Sequence, residues 1–349
     1  MSLKLLRPKL RISHLPWTTS ALSRSPHSFS STYPRPLDRS RLFTTTAART
    51  NQTLSKMAAS NNYSSPGFTK LVVDTMRKHF PEEIAERSWD NVGLLLGNIE
   101  TSSSPEKASV VLVTNDLTYA VAQEAIEKGA SVIVSYHPII FSGLKSITTN
   151  DSQQATLILL ASHGIAVYCP HTALDAAPKG INSWLADSVA GDAKSTRGPA
   201  RPSASPPPGF EEAGAGGVVR FESPQTAGQV VANIAKAVGM SHVMVAAPNP
   251  KTWKESSVSS VAVCAGSGWD VVKDTGADVV VTGEVSHHAA LKAVQTGVLV
   301  VTVFHSNSER GFLRERLVPL LEGELKSTVP AAKVYMSEAD RDPFEIVAA

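Results

Sequence analysis

Six apolar runs rich in β-branched residues recur along the chain, each ending abruptly in polar residues. They are SVVLVTND (109–116), SVIVSYHP (131–138), IAVYCPH (165–171), VSSVAVCAGSG (258–268), DVVVTGEVSHH (278–288) and VLVVTVFHSNSE (298–309). Short continuous apolar runs bounded by turn residues predict buried strands, and the stretches between them carry apolar residues at helical spacing. Gly129-Ala130 and Gly276-Ala277 punctuate the helix-to-strand turns. Strands alternating with helices predict βαβ units and a largely parallel sheet. Upstream, Thr69 is placed to cap a helix through Leu71, Val72, Met76 and Phe80, and WDNVGLLLG (89–97) predicts a turn into a short strand.

The runs fall into two sets of three. In each set one strand ends in histidine and the next ends in His-x-x-x-carboxylate, giving His171 with Asp175 and His305 with Glu309. This self-similarity predicts two similar α/β units, residues 66–192 and 218–345. Between them, residues 193–217 lose periodicity and become rich in Pro, Gly, Ala and Ser, as a solvated linker would. Residues 1–56 carry ten Lys and Arg against the single acid Asp38 and are filled with Ser and Thr. That composition predicts a mitochondrial leader, with Met57 as an alternative start for a cytoplasmic form.

At 349 residues, 42 % apolar and 18 % charged, the chain has material for a substantial core. A net charge of +2 gives no general attraction to nucleic acid or membrane, and no apolar run is long enough to span a bilayer. Cys169 and Cys264, each in or at the end of an apolar run, read as reduced thiols outside any CxxC zinc pattern.

What the pattern adds is chemistry at the C-terminal strand ends, where open α/β sheets bind ligands. His305 and Glu309, four apart, can face one point and hold a divalent metal. The same residues also describe a helix start capped by Ser306 or Ser308, with Glu309 complementing the dipole. Histidines at several strand ends favour metal, and a mixed nitrogen and oxygen donor set suits Zn, Fe, Mn, Co or Ni. His287 and His288 are expected to line the same pocket or to start a helix. Asp116 and Thr118 read as helix caps, the loop Cys264 to Gly268 as a structural turn, and Lys145 and Lys179 as solvated surface.

The motifs WDNVGLLLG, NDLT, SYHPIIFSGLKSIT, CPHTALDAAPKGIN, VAVCAGSG, VVTGEVSHHAALKA, HSNSERGFL and DRDPF resemble the Nif-three-like family (NGG-interacting factor three), some of whose members are GTP cyclohydrolase I type 2 homologues. The likeness runs from about Pro66 to Phe344. It implies an interlinked two-unit α/β fold with mixed sheets, a metal site between the units, one or two metal ions per chain, and a homo-oligomer, commonly a hexamer. Carried over by motif, the ligands are His137, Asp175, His305 and Glu309, with His305 and Glu309 nearest the chemistry and Tyr136, His171, His287 and His288 behind them. Many members have a second histidine where this chain has Tyr136, and usually a glycine where it has Phe304, a substitution expected to narrow the pocket. The implied activity is metal-dependent hydrolysis of a small nucleotide-like substrate. The alternative is a metal-handling or regulatory factor that binds a protein partner without turnover.

Overall fold

A computed structural model describes residues 65–99 and 108–347; the expected leader and the Met57 start lie outside them. The apolar runs form two mixed sheets. The first has the order β1 (Gly93–Leu96), β4 (Ala166–Cys169), β3 (Val132–Ser135), β2 (Val110–Thr114) and β13 (Lys333–Met336). The second has the order β5 (Ser195–Gly198), β8 (Gly217–Thr226), β10 (Ser257–Cys264), β11 (Val279–Thr282), β12 (Leu299–Thr302) and β9 (Met244–Ala246). Each contains a parallel triple, β2-β3-β4 and β10-β11-β12, closed on one side by an antiparallel edge strand, β1 or β9. These triples are the repeat seen in the sequence. Every residue of β2, β3, β4, β11 and β12 is buried, because helices or the other sheet cover both faces.

Side-chain alternation divides the core. Val111, Val113, Val132 and Val134 join Val261, Val263, Val279 and Val281 in one apolar cluster shared by both sheets. The intervening Val110, Leu112 and Ile133 face a second cluster, and Ala262, Cys264 and Val280 a third. Apolar burial therefore fixes which face of each strand meets the other sheet.

The sheets exchange elements across the expected boundaries at 192 and 218. The helix Ile181–Ala190 comes from the first stretch yet packs on β8 and β10, while β13 returns from the far end of the chain to pair with β2. The stretch 193–217 is corrected too: β5 pairs with β8, and β6 (Arg201–Pro202) pairs with β7 (Gly214–Ala215) as a small hairpin. The helix Gly67–His79 starts at Pro66 rather than at a Thr69 cap, since Thr69 is buried with its hydroxyl donating to Asn98 Oδ1 at 3.0 Å. No helix among the described residues is long and apolar enough to cross a membrane.

Candidate metal centre

The C-terminal ends of both parallel triples converge on one cavity of about 890 Å³. From the first sheet, the backbone N–H of His137 continues the ladder past β3 to the carbonyl of Asn115 at 3.0 Å, which fixes the imidazole at the sheet edge. From the second, β12 runs out through Phe304 into His305, and Glu309 sits in the first turn of the helix Asn307–Phe312. His137 Nε2 lies 3.6 Å from Glu309 Oε2, and His305 Nε2 lies 3.5 Å from Glu309 Oε1. Among the described residues these three form a group that could hold a metal ion, their donor atoms all within 4.8 Å of one another.

What stands behind the imidazoles decides what they can do. His137 Nδ1 bonds Asp116 Oδ1 at 2.8 Å, and His305 Nδ1 bonds Glu284 Oε1 at 3.1 Å. A carboxylate on Nδ1 favours the tautomer with its proton there, which leaves the Nε2 lone pair for the centre. Asn115 Nδ2 donates to Glu309 Oε2 at 3.0 Å, and Glu309 is 1 % exposed. Asn115 Oδ1, also buried, has no hydrogen-bond donor. A buried carboxylate beside two oriented imidazoles, with a lone acceptor next to them, suits a divalent cation.

The fourth expected ligand stands apart. Asp175 lies outside that cluster; its Oδ1 accepts from the Tyr136 hydroxyl at 2.8 Å. Burial pushes the Asp175 carboxyl up to about 6, and burial followed by Asp175 holds the Tyr136 phenol well above its ordinary range. Tyr136 thus acts as a hydrogen-bond donor where a second imidazole would offer a lone pair. His171 lines the same cavity but is bonded elsewhere: its Nδ1 bonds Asp90 Oδ1 at 2.6 Å. The two His-x-x-x-carboxylate pairs, alike in sequence, are therefore different in chemistry. Only the His305 and Glu309 pair closes on itself.

Several expectations at the strand ends are corrected. His287 and His288 are exposed at the start of the helix His287–Gln295, which Ser286 caps, and neither lines the cavity. Glu284, on the same segment, is the residue that reaches the site. Thr118 caps the helix Tyr119–Glu127, but Asp116 serves His137 instead. Ser306 and Ser308 do not cap: Ser306 Oγ donates to Asp342 Oδ2 at 2.6 Å, and Ser308 Oγ accepts the Gly266 N–H at 2.8 Å. Phe304 does not line the cavity; its φ of +64° shows why glycine suits that position, since a left-handed backbone is uncommon for a bulky residue. His163 ends the helix Ser152–Ser162, and Lys145 and Lys179 are exposed away from the cavity.

The closing DRDPF motif has a use that its sequence alone does not reveal. Asp340, whose side chain is 1 % exposed, accepts the Asn115 backbone N–H at 2.9 Å and the Arg310 guanidinium at 3.0 Å. Arg310 also reaches Asp116 at 3.4 Å. One carboxylate thus ties the first sheet's Asn115-Asp116 loop to the second sheet's Glu309-Arg310 helix. Removing its charge takes the shortest ion pair from a largely buried cation, which keeps only Asp116 at 3.4 Å and Asp342 at 3.9 Å. Asp340→Asn is expected to lower metal affinity by about tenfold, the lower end for losing a group that orients ligands, while Glu338→Gln, at an exposed neighbour, leaves it unchanged. Titration with a competing chelator reads both.

The chain resembles known proteins over most of its length. A family model described as Duf34/NIF3 (NGG1p interacting factor 3) matches residues 69–343. The protein NIF3 homolog of Schizosaccharomyces pombe is 43 % identical over 258 residues, covering 74 % of this chain and 90 % of that one. The NGG1-interacting factor 3 of Saccharomyces cerevisiae is 37 % identical over 283 residues, covering 79 % and 96 %. Among solved structures, a Staphylococcus aureus protein superposes with a TM-score of 0.67 at 26 % identity, covering 81 % of this chain and all of that one.

Proposed function

The chain belongs to the Duf34/NIF3 family, and from that premise we propose that it binds a divalent metal ion through His137, His305 and Glu309 and hydrolyses a small nucleotide-like substrate, as a GTP cyclohydrolase does. The observation that carries this is the pair of oriented imidazoles turned onto one buried carboxylate in an open cavity. A bound ion would supply Lewis-acid polarisation of a substrate oxygen. The chain's own residues do the rest. Asp116 and Glu284 hold the imidazoles in place, and Asn115 holds Glu309. Asp175, at about 6 and bonded to Tyr136, is a carboxylate at neutral pH that can take up a proton within the same cavity.

A second reading is supported by the name of the Saccharomyces cerevisiae relative, which interacts with another protein: the chain handles metal as a regulatory partner without turnover. Purified protein resupplied with Mn, Fe, Co, Ni or Zn and assayed on nucleotides including GTP separates the two. Metal-dependent turnover that Glu309→Ala abolishes supports the hydrolase. Bound metal with no turnover supports the binding factor, and no metal with any of the five contradicts both.

Without metal, His137 lies between two carboxylates. Burial pulls its pKa down, but the hydrogen bonds to Asp116 and Glu309 outweigh it and raise it from 6.5 to about 10. A folded-state pKa above the unfolded value gives stability that is fully present below about 6.5 and lost as pH rises through about 10. A metal must displace this proton. We expect melts in chelator to fall in temperature between about pH 7 and 10, and calorimetry near pH 8 in two buffers of different protonation enthalpy to show about one proton released per ion. A flat melting profile, or metal binding that releases no proton, would contradict the assigned ligand.

A further inference from the structure

A line of aromatic rings joins the donor cluster to the cavity mouth. Ring centroids lie 5.3 Å apart for His305 and His137, 5.5 Å for His137 and His171, 6.0 Å for His171 and Trp89, and 6.2 Å for Trp89 and Phe141. The three histidines are partly buried, but Trp89 and Phe141 are 54 % and 52 % exposed while lining the same cavity as Glu309. Leaving so much aromatic surface in water forgoes burial that a core position would provide.

Their supports are nonetheless rigid. Asp90, next to Trp89, is locked by the His171 imidazole at 2.6 Å and by Thr172, whose backbone N–H donates at 3.2 Å. Asn91 Nδ2 donates to the carbonyl of Ile140 at 2.5 Å, which ties the loop carrying Trp89 to the loop carrying Phe141. The two rings are thus placed by a cross-brace between loops 49 residues apart. The β6–β7 hairpin brings the cation Arg201 to the same cavity.

We propose that Trp89 and Phe141 form a stacking subsite for a planar heteroaromatic ring, a purine base being the probe of choice, with the ligand's anionic part served separately by Arg201. The assignment deepens the hydrolase reading and rests on it for what happens after binding; stacking itself needs neither metal nor turnover. A π-face accepts any flat ring, so the subsite selects for planarity rather than for one base. Half-exposed aromatic rings can be truncated without opening a core cavity, so the variants are expected to fold.

The test is calorimetric binding of GTP and of inorganic tripolyphosphate to the full chain, in chelator and with manganese. Trp89→Ala and Phe141→Ala are each expected to weaken GTP binding by about tenfold, from a stacking contribution of about 1–3 kcal/mol per base, with Trp89→Phe restoring most of it and tripolyphosphate unaffected. The subsite is overturned if both alanine variants bind GTP within about twofold of the unaltered chain, if tripolyphosphate loses as much as GTP, or if the unaltered chain binds GTP no better than tripolyphosphate. Failure here and failure of the hydrolase reading are separable. GTP bound through Trp89 but never hydrolysed sinks the hydrolase alone, and GTP hydrolysed with an unchanged KM in Trp89→Ala sinks the subsite alone.

Discussion

Glu309→Gln is expected to bind a divalent ion about a hundredfold more weakly than the unaltered chain while keeping its fold. Glu309 is the one member of the donor group that touches both others, 3.6 Å from His137 Nε2 and 3.5 Å from His305 Nε2. It is also the only one that supplies charge. If the roughly 10–16 kcal/mol typical of a four-ligand zinc site is shared evenly, one ligand accounts for about 3 kcal/mol, or about two powers of ten. Glutamine preserves the shape and can still accept from Asn115 Nδ2, so the loss falls on metal rather than on packing. Competitive titration against a chelator, with far-ultraviolet circular dichroism as the fold check, measures it. An affinity within about threefold of the unaltered chain would remove Glu309 from the ligand set.

Gly266→Ala is expected to do comparable damage from outside the donor set. Gly266 has φ +58° and packs directly on the centre: a Cβ there would stand 2.9 Å from Glu309 Oε1 and 2.9 Å from His305 Nε2. Neither neighbour can yield freely, since Glu309 is held by Asn115 and His305 by Glu284. The left-handed backbone alone costs an alanine about 1–2 kcal/mol, or roughly 2–8 °C in melting temperature for a domain of this size. The contact adds a displaced donor. Gly129→Ala is the matched control: its φ is +67° and a Cβ there meets nothing within 4 Å. We expect both variants to lose thermal stability, and only Gly266→Ala to lose metal, by about tenfold or more for a disturbed ligand environment. Equal metal affinity in the two would show that the glycine serves the turn alone.

The parallel triples were legible in the sequence because strands buried on both faces must be apolar without interruption, and the polar residues at their ends stand out against that background. The His305 and Glu309 pair came out of the same contrast, whereas His137 entered the donor set through the family resemblance. What escaped was set by contacts distant in sequence. β5 lies in a Pro-, Gly- and Ser-rich stretch and forms only because β8 offers it an edge, so local composition pointed to a linker. Asp340 serves Asn115 from 225 residues away, and nothing local marks a C-terminal carboxylate as a brace for a site near the start of the fold. Asp116 was read as a cap because Thr118, two residues on, offers the same local chemistry and in fact takes that role.

The histidine pair His287-His288 shows a different limit. Imidazoles after a strand suit either a pocket lining or a helix start, and the helix start holds: Ser286 caps a helix there and both residues are exposed. Glu284, still on the strand-end turn, reaches His305 instead. The repeat itself misled. His171 and Asp175 copy the spacing of His305 and Glu309, yet Asp90 and Tyr136 engage them first. Spacing reports which residues can meet, and the competing partners decide which do.

X-ray absorption at the metal edge of zinc-loaded protein tests the central claim most directly, because imidazole rings scatter with a countable signature. The unaltered chain should show two imidazole ligands, and His137→Ala and His305→Ala one each. Zinc that shows two imidazoles in either variant, or none in the unaltered chain, would contradict a centre built from His137, His305 and Glu309.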